Sequence, residues 1–210
     1  MDWHEEVLDK RGLEAVRRLA PVLRGGFYLA GGTALGLRLG HRKSLDLDFF
    51  SHDRTLDRAD RAALFGSLKA SGAAEALEEK DGTMHLRLED TEVSLFHYPY
   101  RLLERVSEWN GLEIASIEDI AAMKLGAAAG RGLRKDFIDL YFVCRNRTVA
   151  EAICWAGKKF PDHPNFSAQA AKALVYFEDA EKDPMPRMLK PVKWGEIKSF
   201  FKKEVPKLFR

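Results

Sequence analysis

The chain predicts an α+β fold: a small mixed β-sheet with flanking helices, followed by a helical C-terminal extension. Three observations carry this expectation. Up to about residue 148, short apolar or alternating runs that suit strands are interspersed with stretches of helical period. Beyond that point no strand pattern recurs, and prolines at 161, 164, 184, 186 and 191 break an otherwise helical segment. At 210 residues the chain can also bury a core without disulfide staples. The expected division is a core over 1–148 and a helical extension over 149–210.

Residues 3–23 space Leu8, Leu13, Val16, Leu19 and Ala20 at roughly helical intervals, with Pro21 near the end. Residues 27–30 form a short apolar run that meets Gly31-Gly32, a buried strand entering a tight turn. Residues 33–39 predict a helix capped by Thr33 and closed by Gly40. Residues 46–50 alternate acidic and apolar, so Asp46 and Asp48 share one face of a strand. A helix is expected over 57–72. Residues 75–80 and 84–88 flank Asp81-Gly82 as a hairpin, and 93–96 add one more strand before Pro99. Ser116 and Asp119 approximate a capping box that opens an alanine-rich helix to Gly130. A second helix follows over 133–145.

Composition narrows the function classes. A net charge of +2 with 31% charged residues describes an ordinary soluble surface and does not mark a nucleic-acid binder. Residues 182–210 are basic and contain aromatics, and they read best as a solvated amphipathic helix. Cys144 and Cys154 lack metal-ligand spacing and are expected to be packed thiols. No apolar run is long enough for a membrane span, and no N-terminal segment resembles a secretory signal, so no membrane partner and a cytoplasmic location are expected. Six histidines show no HExxH pattern, against a zinc hydrolase. His41 and His52 bracket the aspartates and are expected to be ordinary loop histidines. Ser51 has no G-x-S-x-G context, against a serine hydrolase.

The strongest chemical signal lies in 29–50. A strand delivers Gly31, Gly32 and Thr33 into a helix N-terminus, where backbone N–H groups and the helix dipole can hold phosphate oxygens. Asp46-x-Asp48 then places two carboxylates about 7 Å apart at Cα on one strand face, a spacing that suits shared ligation of Mg²⁺ or Mn²⁺. Arg42, Lys43 and Ser44 precede them and offer cationic and hydroxyl contacts to a triphosphate. Each piece alone also fits backbone punctuation, a solvated strand edge or a basic surface loop. At this spacing the pieces reinforce one another.

The run from Leu29 to Leu35 (LAGGTAL), with Gly40 to Phe50 (GHRKSLDLDFF), resembles the AbiEii/AbiGii-toxin nucleotidyltransferases, a branch of the polymerase-beta-like superfold. Ser116 to Leu125, Gly130-Arg131 and Lys135 to Leu140 resemble that family's second block of lysine, arginine and paired acids. The resemblance covers about residues 25–145. It implies a nucleotidyltransferase core and transfer of a nucleotidyl group from a nucleoside triphosphate, with tRNA as the acceptor in some relatives. It also implies a toxin role opposite a separate antitoxin protein. By the same resemblance Gly32 and Thr33 are triphosphate contacts and Asp46 and Asp48 metal ligands. Lys124 meets phosphate, Asp136 or Asp139 completes the site, and Arg131 lies among the substrate contacts.

The residues support part of this and question another part. Lys124 has no evident charge partner along its helix, which leaves it either a phosphate ligand or a snorkelling surface cation. Asp136 and Asp139 share a helical face, where a neighbouring Arg131 or Lys135 could simply pair with them. Such enzymes commonly carry a third carboxylate on a later strand, and here Ser94 occupies the expected position, with Glu92 on the same strand face. Two readings therefore stand: an Mg²⁺-dependent transferase, favoured by Asp46, Asp48, Lys124 and Asp136, and a degenerate nucleotide-binding module, favoured by Ser94.

Overall fold

A computed structural model describes residues 2–209. Its strands are β1 (Tyr28–Leu29), β2 (Leu47–Ser51), β3 (Glu75–Lys80), β4 (Thr83–Leu88), β5 (Thr91–His97), β6 (Ser107–Trp109) and β7 (Leu112–Ile114). They form one mixed sheet in the order β3-β4-β5-β2-β1-β7-β6. β2 runs parallel to β5 and antiparallel to β1, which in turn runs parallel to β7. Alternation decides the faces: Leu47 and Phe49 of β2 enter the core, while Asp48 and Phe50 look the other way.

The helices are α1 (Lys10–Leu23), α2 (Gly31–Leu39), α3 (Arg58–Ala70), α4 (Ile117–Gly130), α5 (Arg134–Cys144), α6 (Val149–Lys159), α7 (Phe166–Ala173), α8 (Glu178–Lys182) and α9 (Trp194–Glu204). The first starts later than the apolar spacing predicts, because Asp9 caps it by accepting from the Gly12 N–H at 2.9 Å and the chain before it forms only a short 3-10 turn. α2 starts earlier than predicted. Its N-cap is Ala30, and Thr33 sits inside the first turn with its hydroxyl donated to the Asp46 carbonyl at 2.5 Å. Gly40 ends it in the left-handed region, as expected.

The hairpin of β6 and β7 has no counterpart in the expected elements. Its turn, Asn110-Gly111, has positive φ at both residues (47° and 77°), the geometry that the Asn-Gly pair favours. β7 then pairs with β1 and delivers Ser116 to the start of α4.

Ser116 caps α4 by accepting from the Asp119 N–H, but the predicted capping box is only half formed. The buried Asp119 carboxylate accepts from the Ser116 hydroxyl at 2.8 Å, and also from the Leu103 and Glu104 N–H groups and from Lys159. It thereby ties α4, the loop after β5 and α6 together.

The C-terminal helices pack on the core. α6 lies against α4 and α9 against α5, and Ala152, Ala156, Ala170, Ile197 and Phe201 join the same apolar cluster as the sheet. The basic segment 182–210 is thus anchored through Ile197 and Phe201 of α9; its last residue, Arg210, lies outside the described residues. Cys144 is buried, with burial pushing its thiol up to about 12, whereas Cys154 is exposed and so is not the packed thiol expected.

Candidate active site

A cleft of about 860 Å³ opens between the outward face of β2, β5 and β4 on one side and α4 on the other, with the start of α2 at its base. Asp46, just ahead of β2, and Asp48 within it both line this cleft. The Asp48 carboxyl is held above its ordinary pKa by burial first and by the neighbouring Asp46 charge second, against the opposing pull of Lys124, Lys135 and Arg131. Two negative charges held together in partly dry surroundings are costly, and a cation between them removes that cost.

Beneath the carboxylates lies the α2 N-terminus. No side chain caps it, so its first N–H groups, which have no intrahelical partner, remain open to the cleft at Gly31 and Gly32. Gly31 is required twice over. Its φ is +66°, and a Cβ there would sit 2.7 Å from the Asp48 carboxylate. At Gly32 a Cβ would sit 2.3 Å from the Arg42 guanidinium, which passes directly behind the turn.

Under this floor is a buried charge cluster. Asp139, fully buried, accepts from Arg42 Nε at 2.7 Å, Arg42 Nη2 at 2.8 Å and His41 Nε2 at 2.8 Å, and lies 2.7 Å from Lys124 Nζ. Lys124 also donates to Asp136 Oδ1 at 2.9 Å. Burial alone would raise the Asp139 pKa, but the charges of Arg42 and Lys124 outweigh it and hold it well below the usual carboxylate range. For His41 burial wins and lowers the pKa, so the ring is neutral and donates to Asp139 through Nε2.

This cluster revises several expectations. Lys124 does line the cleft, but two aspartates of α5 already meet its ammonium, so it is neither a lone cation nor a surface lysine. Asp136 and Asp139 are fully buried behind the cleft wall and do not add carboxylates to its surface. Arg42 lines the cleft as expected, but Asp139 takes its Nε and Nη2 donors and holds the guanidinium close behind the Gly32 turn. Thr33 is buried and directed at a backbone carbonyl rather than at the cleft. Lys43, Ser44 and Arg131 line the cleft as expected, although the Lys43 ammonium is drawn to the Glu6 carbonyl and Arg131 lies 3.7 Å from Asp136. Of the bracketing histidines, His41 belongs to the cluster and His52 pairs with Asp53 at the surface.

Register places Ser94 of β5 beside Asp48 of β2, so the third-carboxylate position carries a hydroxyl. Across the next pairing stands His85 of β4, whose Nδ1 is 3.0 Å from Ser94 Oγ. His85 lines the cleft, and sequence reasoning missed it because only the β4–β5 register brings it to Ser94. Glu92 also reaches the cleft. Phe50, Phe96 and Tyr98 form an aromatic wall at the other end, with Phe50 stacked on Phe96 at 5.1 Å and edge-on to Tyr98 at 5.5 Å. Among the described residues no group of three or more His, Cys, Asp or Glu side chains could hold a metal ion, and Asp46 and Asp48 are a pair of carboxylates in the cleft.

Comparison with known proteins places this geometry. The chain is 36% identical over 203 residues to an uncharacterized protein of Aquifex aeolicus (strain VF5), covering 94% of this chain and 96% of that one. Its fold is similar to that of MenT4, a nucleotidyltransferase toxin from Mycobacterium tuberculosis H37Rv (TM-score 0.58, 17% identity, 94% of this chain and 82% of that chain). It is also similar to that of ANT(2")-Ia crystallised in complex with adenylyl-2"-tobramycin (TM-score 0.54, 16% identity, 72% and 97%). At these identities the two structures establish the fold. A family model described as "Nucleotidyl transferase AbiEii toxin, Type IV TA system" matches residues 15–209, and the protein belongs to this nucleotidyltransferase toxin family.

Proposed function

We propose that the protein transfers a nucleotidyl group from an Mg²⁺-bound nucleoside triphosphate to an acceptor hydroxyl, with the 3′ end of tRNA as acceptor. In this reading it acts in the cytoplasm as the toxin of a pair whose antitoxin is a separate protein. No described helix is long and apolar enough to cross a membrane. The observation that carries the proposal is the meeting of an uncapped, glycine-lined helix N-terminus with two carboxylates in one cleft.

Asp46 and Asp48 would hold Mg²⁺ or Mn²⁺ by oxygen ligation; the bound ion supplies charge neutralisation of the triphosphate and activation of the attacking hydroxyl. The N–H groups at Gly31 and Gly32 hold phosphate oxygens. The acceptor oxygen forms a bond to the α-phosphorus, the bond from that phosphorus to the bridging oxygen breaks, and pyrophosphate leaves. In the tautomer that donates Nδ1–H to Ser94, His85 carries a free lone pair on Nε2, and in that form it takes the hydroxyl proton that a third carboxylate would otherwise accept. Behind the cleft wall Asp136 and Asp139 hold Lys124 and Arg42 in place, which ties α4 and the segment after α2 to α5 under the site.

Ser94 supports a second reading, a module that binds nucleotide without turnover. One experiment separates the two. The four nucleoside triphosphates are titrated with Mg²⁺ into wild type and Asp46→Asn/Asp48→Asn, and labelled nucleotide is then followed onto total tRNA. Metal-dependent binding lost in the variant, with transfer reduced by at least about 10²-fold, is the expected result. Binding without any transfer favours the second reading, and a wild type that binds no nucleotide overturns both.

A further inference from the structure

The C-terminal extension does more than cover α4 and α5. Between α8 and α9 the chain forms a strap over residues 183–193, kept out of helix by Pro184, Pro186 and Pro191. The strap is fixed along its length by backbone bonds. The Lys43 N–H donates to the Arg187 carbonyl at 2.8 Å, and Met188 bridges to Arg42 in antiparallel fashion. Leu189 and Lys190 N–H groups donate to the His41 carbonyl at 2.9 and 3.0 Å, and at the α8 end the Asp183 carboxylate accepts from the Arg134 N–H at 2.9 Å. The strap thus pairs with the segment that leads into Asp46, and Pro186 and Arg187 become part of the cleft wall.

Arg187 differs from Arg42, the arginine of the facing segment that also lines the cleft. Arg42 is neutralised by Asp139, whereas the exposed Arg187 side chain has no hydrogen-bond or ion-pair partner among the described residues. Its place in the cleft is also directional. The aromatic wall of Phe50, Phe96 and Tyr98 closes one end, and Lys43, Ser44 and Arg187 gather at the other, on the far side of Asp46 and Asp48. A nucleotide laid along β2 with its base on the aromatic wall extends its phosphates past the carboxylates toward the strap.

We propose that Arg187 grips the terminal phosphates of the nucleoside triphosphate, so that the strap of the C-terminal extension completes the nucleotide site. This rests on the nucleotidyl-transfer reading above. A guanidinium suits the role because its planar fork can donate two charge-assisted hydrogen bonds to phosphate oxygens.

The test is calorimetric titration of nucleoside triphosphates and the matching monophosphates, with Mg²⁺, into wild type, Arg187→Ala and Arg187→Lys. Arg187→Ala is expected to weaken triphosphate binding by about tenfold or more while leaving monophosphate binding and the thermal midpoint unchanged. Arg187→Lys, which keeps the charge without the fork, recovers part of the loss. Unchanged triphosphate affinity in Arg187→Ala, or an equal loss for mono- and triphosphate, overturns the proposal while the nucleotide site itself stands. A wild type that binds no triphosphate overturns the nucleotide reading, and this proposal with it.

Discussion

Asp48 concentrates the residue-scale chemistry, because it is flanked in space by Asp46, by Gly31 and, across the parallel pairing, by Ser94. A hydroxyl at Ser94 lowers the negative charge of the cleft by one relative to a third carboxylate and leaves the proton-accepting duty to the neighbouring imidazole. Replacing His85 by Ala should therefore reduce the transfer rate by about 10²-fold at unchanged Mg²⁺-nucleotide affinity. Adding Ser94→Asp to that variant should recover part of the rate by restoring a carboxylate beside Asp48. Single-turnover transfer kinetics alongside nucleotide titration check both; a His85→Ala enzyme as fast as wild type would remove the imidazole from the mechanism.

At the scale of elements, the packing of α2, α4 and α5 depends on charges as well as on apolar surface. Ile120, Leu125, Phe137 and Ile138 bury fully, each contributing about 1.5–3 kcal/mol as it leaves water. Between them run Lys124 and Arg42, two cations that are tolerated inside only because Asp136 and Asp139 answer them. Asp139→Ala leaves Arg42 without its carboxylate and Lys124 with half of its compensation. The expected cost is about 3–5 kcal/mol, a fall in thermal midpoint on the order of 10 °C by calorimetry, with nucleotide binding impaired even below the transition. Asp136 keeps one oxygen, Oδ2, without a hydrogen-bond partner, directed along the Arg131 side of the cluster. The strap is the other element-scale device: its backbone pairing with 41–43 makes the loop before Asp46 part of a two-stranded ribbon instead of a free turn.

For the whole molecule, the same cluster makes stability depend on pH. The His41 pKa is lowered in the folded protein, while the unfolded ring titrates near its ordinary value of about 6.5. Between those two values the unfolded chain binds more protons, so stability holds above about pH 7 and declines as the pH falls below about 6.5. Asp48, with its raised pKa, contributes the opposite slope, and that contribution is common to wild type and variant. Urea unfolding of wild type and His41→Gln across pH 5–8 should show the decline in the first and a flatter profile in the second. Parallel profiles would mean that His41 is not the titrating group.

Much of the molecule was legible in the linear chain wherever the deciding interaction was local. The alternation over 46–50 put Asp46 and Asp48 on one face, Asp81-Gly82 marked a hairpin, Ser116 marked the α4 start and Gly40 the α2 end. Asn110-Gly111 carried the same kind of local signal for β6 and β7, though the strands it joins are only three residues each, too short to show alternation. Other features depended on the folded arrangement. Nothing near Lys124 in sequence announces Asp136 and Asp139 as its partners, His41 and Asp139 lie 98 positions apart, and Arg187 meets the Lys43 loop only through the fold of the C-terminal extension. Periodicity and capping act within a turn or a strand, so the chain by itself determined its elements and the carboxylate pair. Desolvated charge pairing and strand register act between elements, so only the tertiary structure decided which cations are consumed, which histidine stands beside Ser94 and which cleft arginine is left without a partner among the described residues.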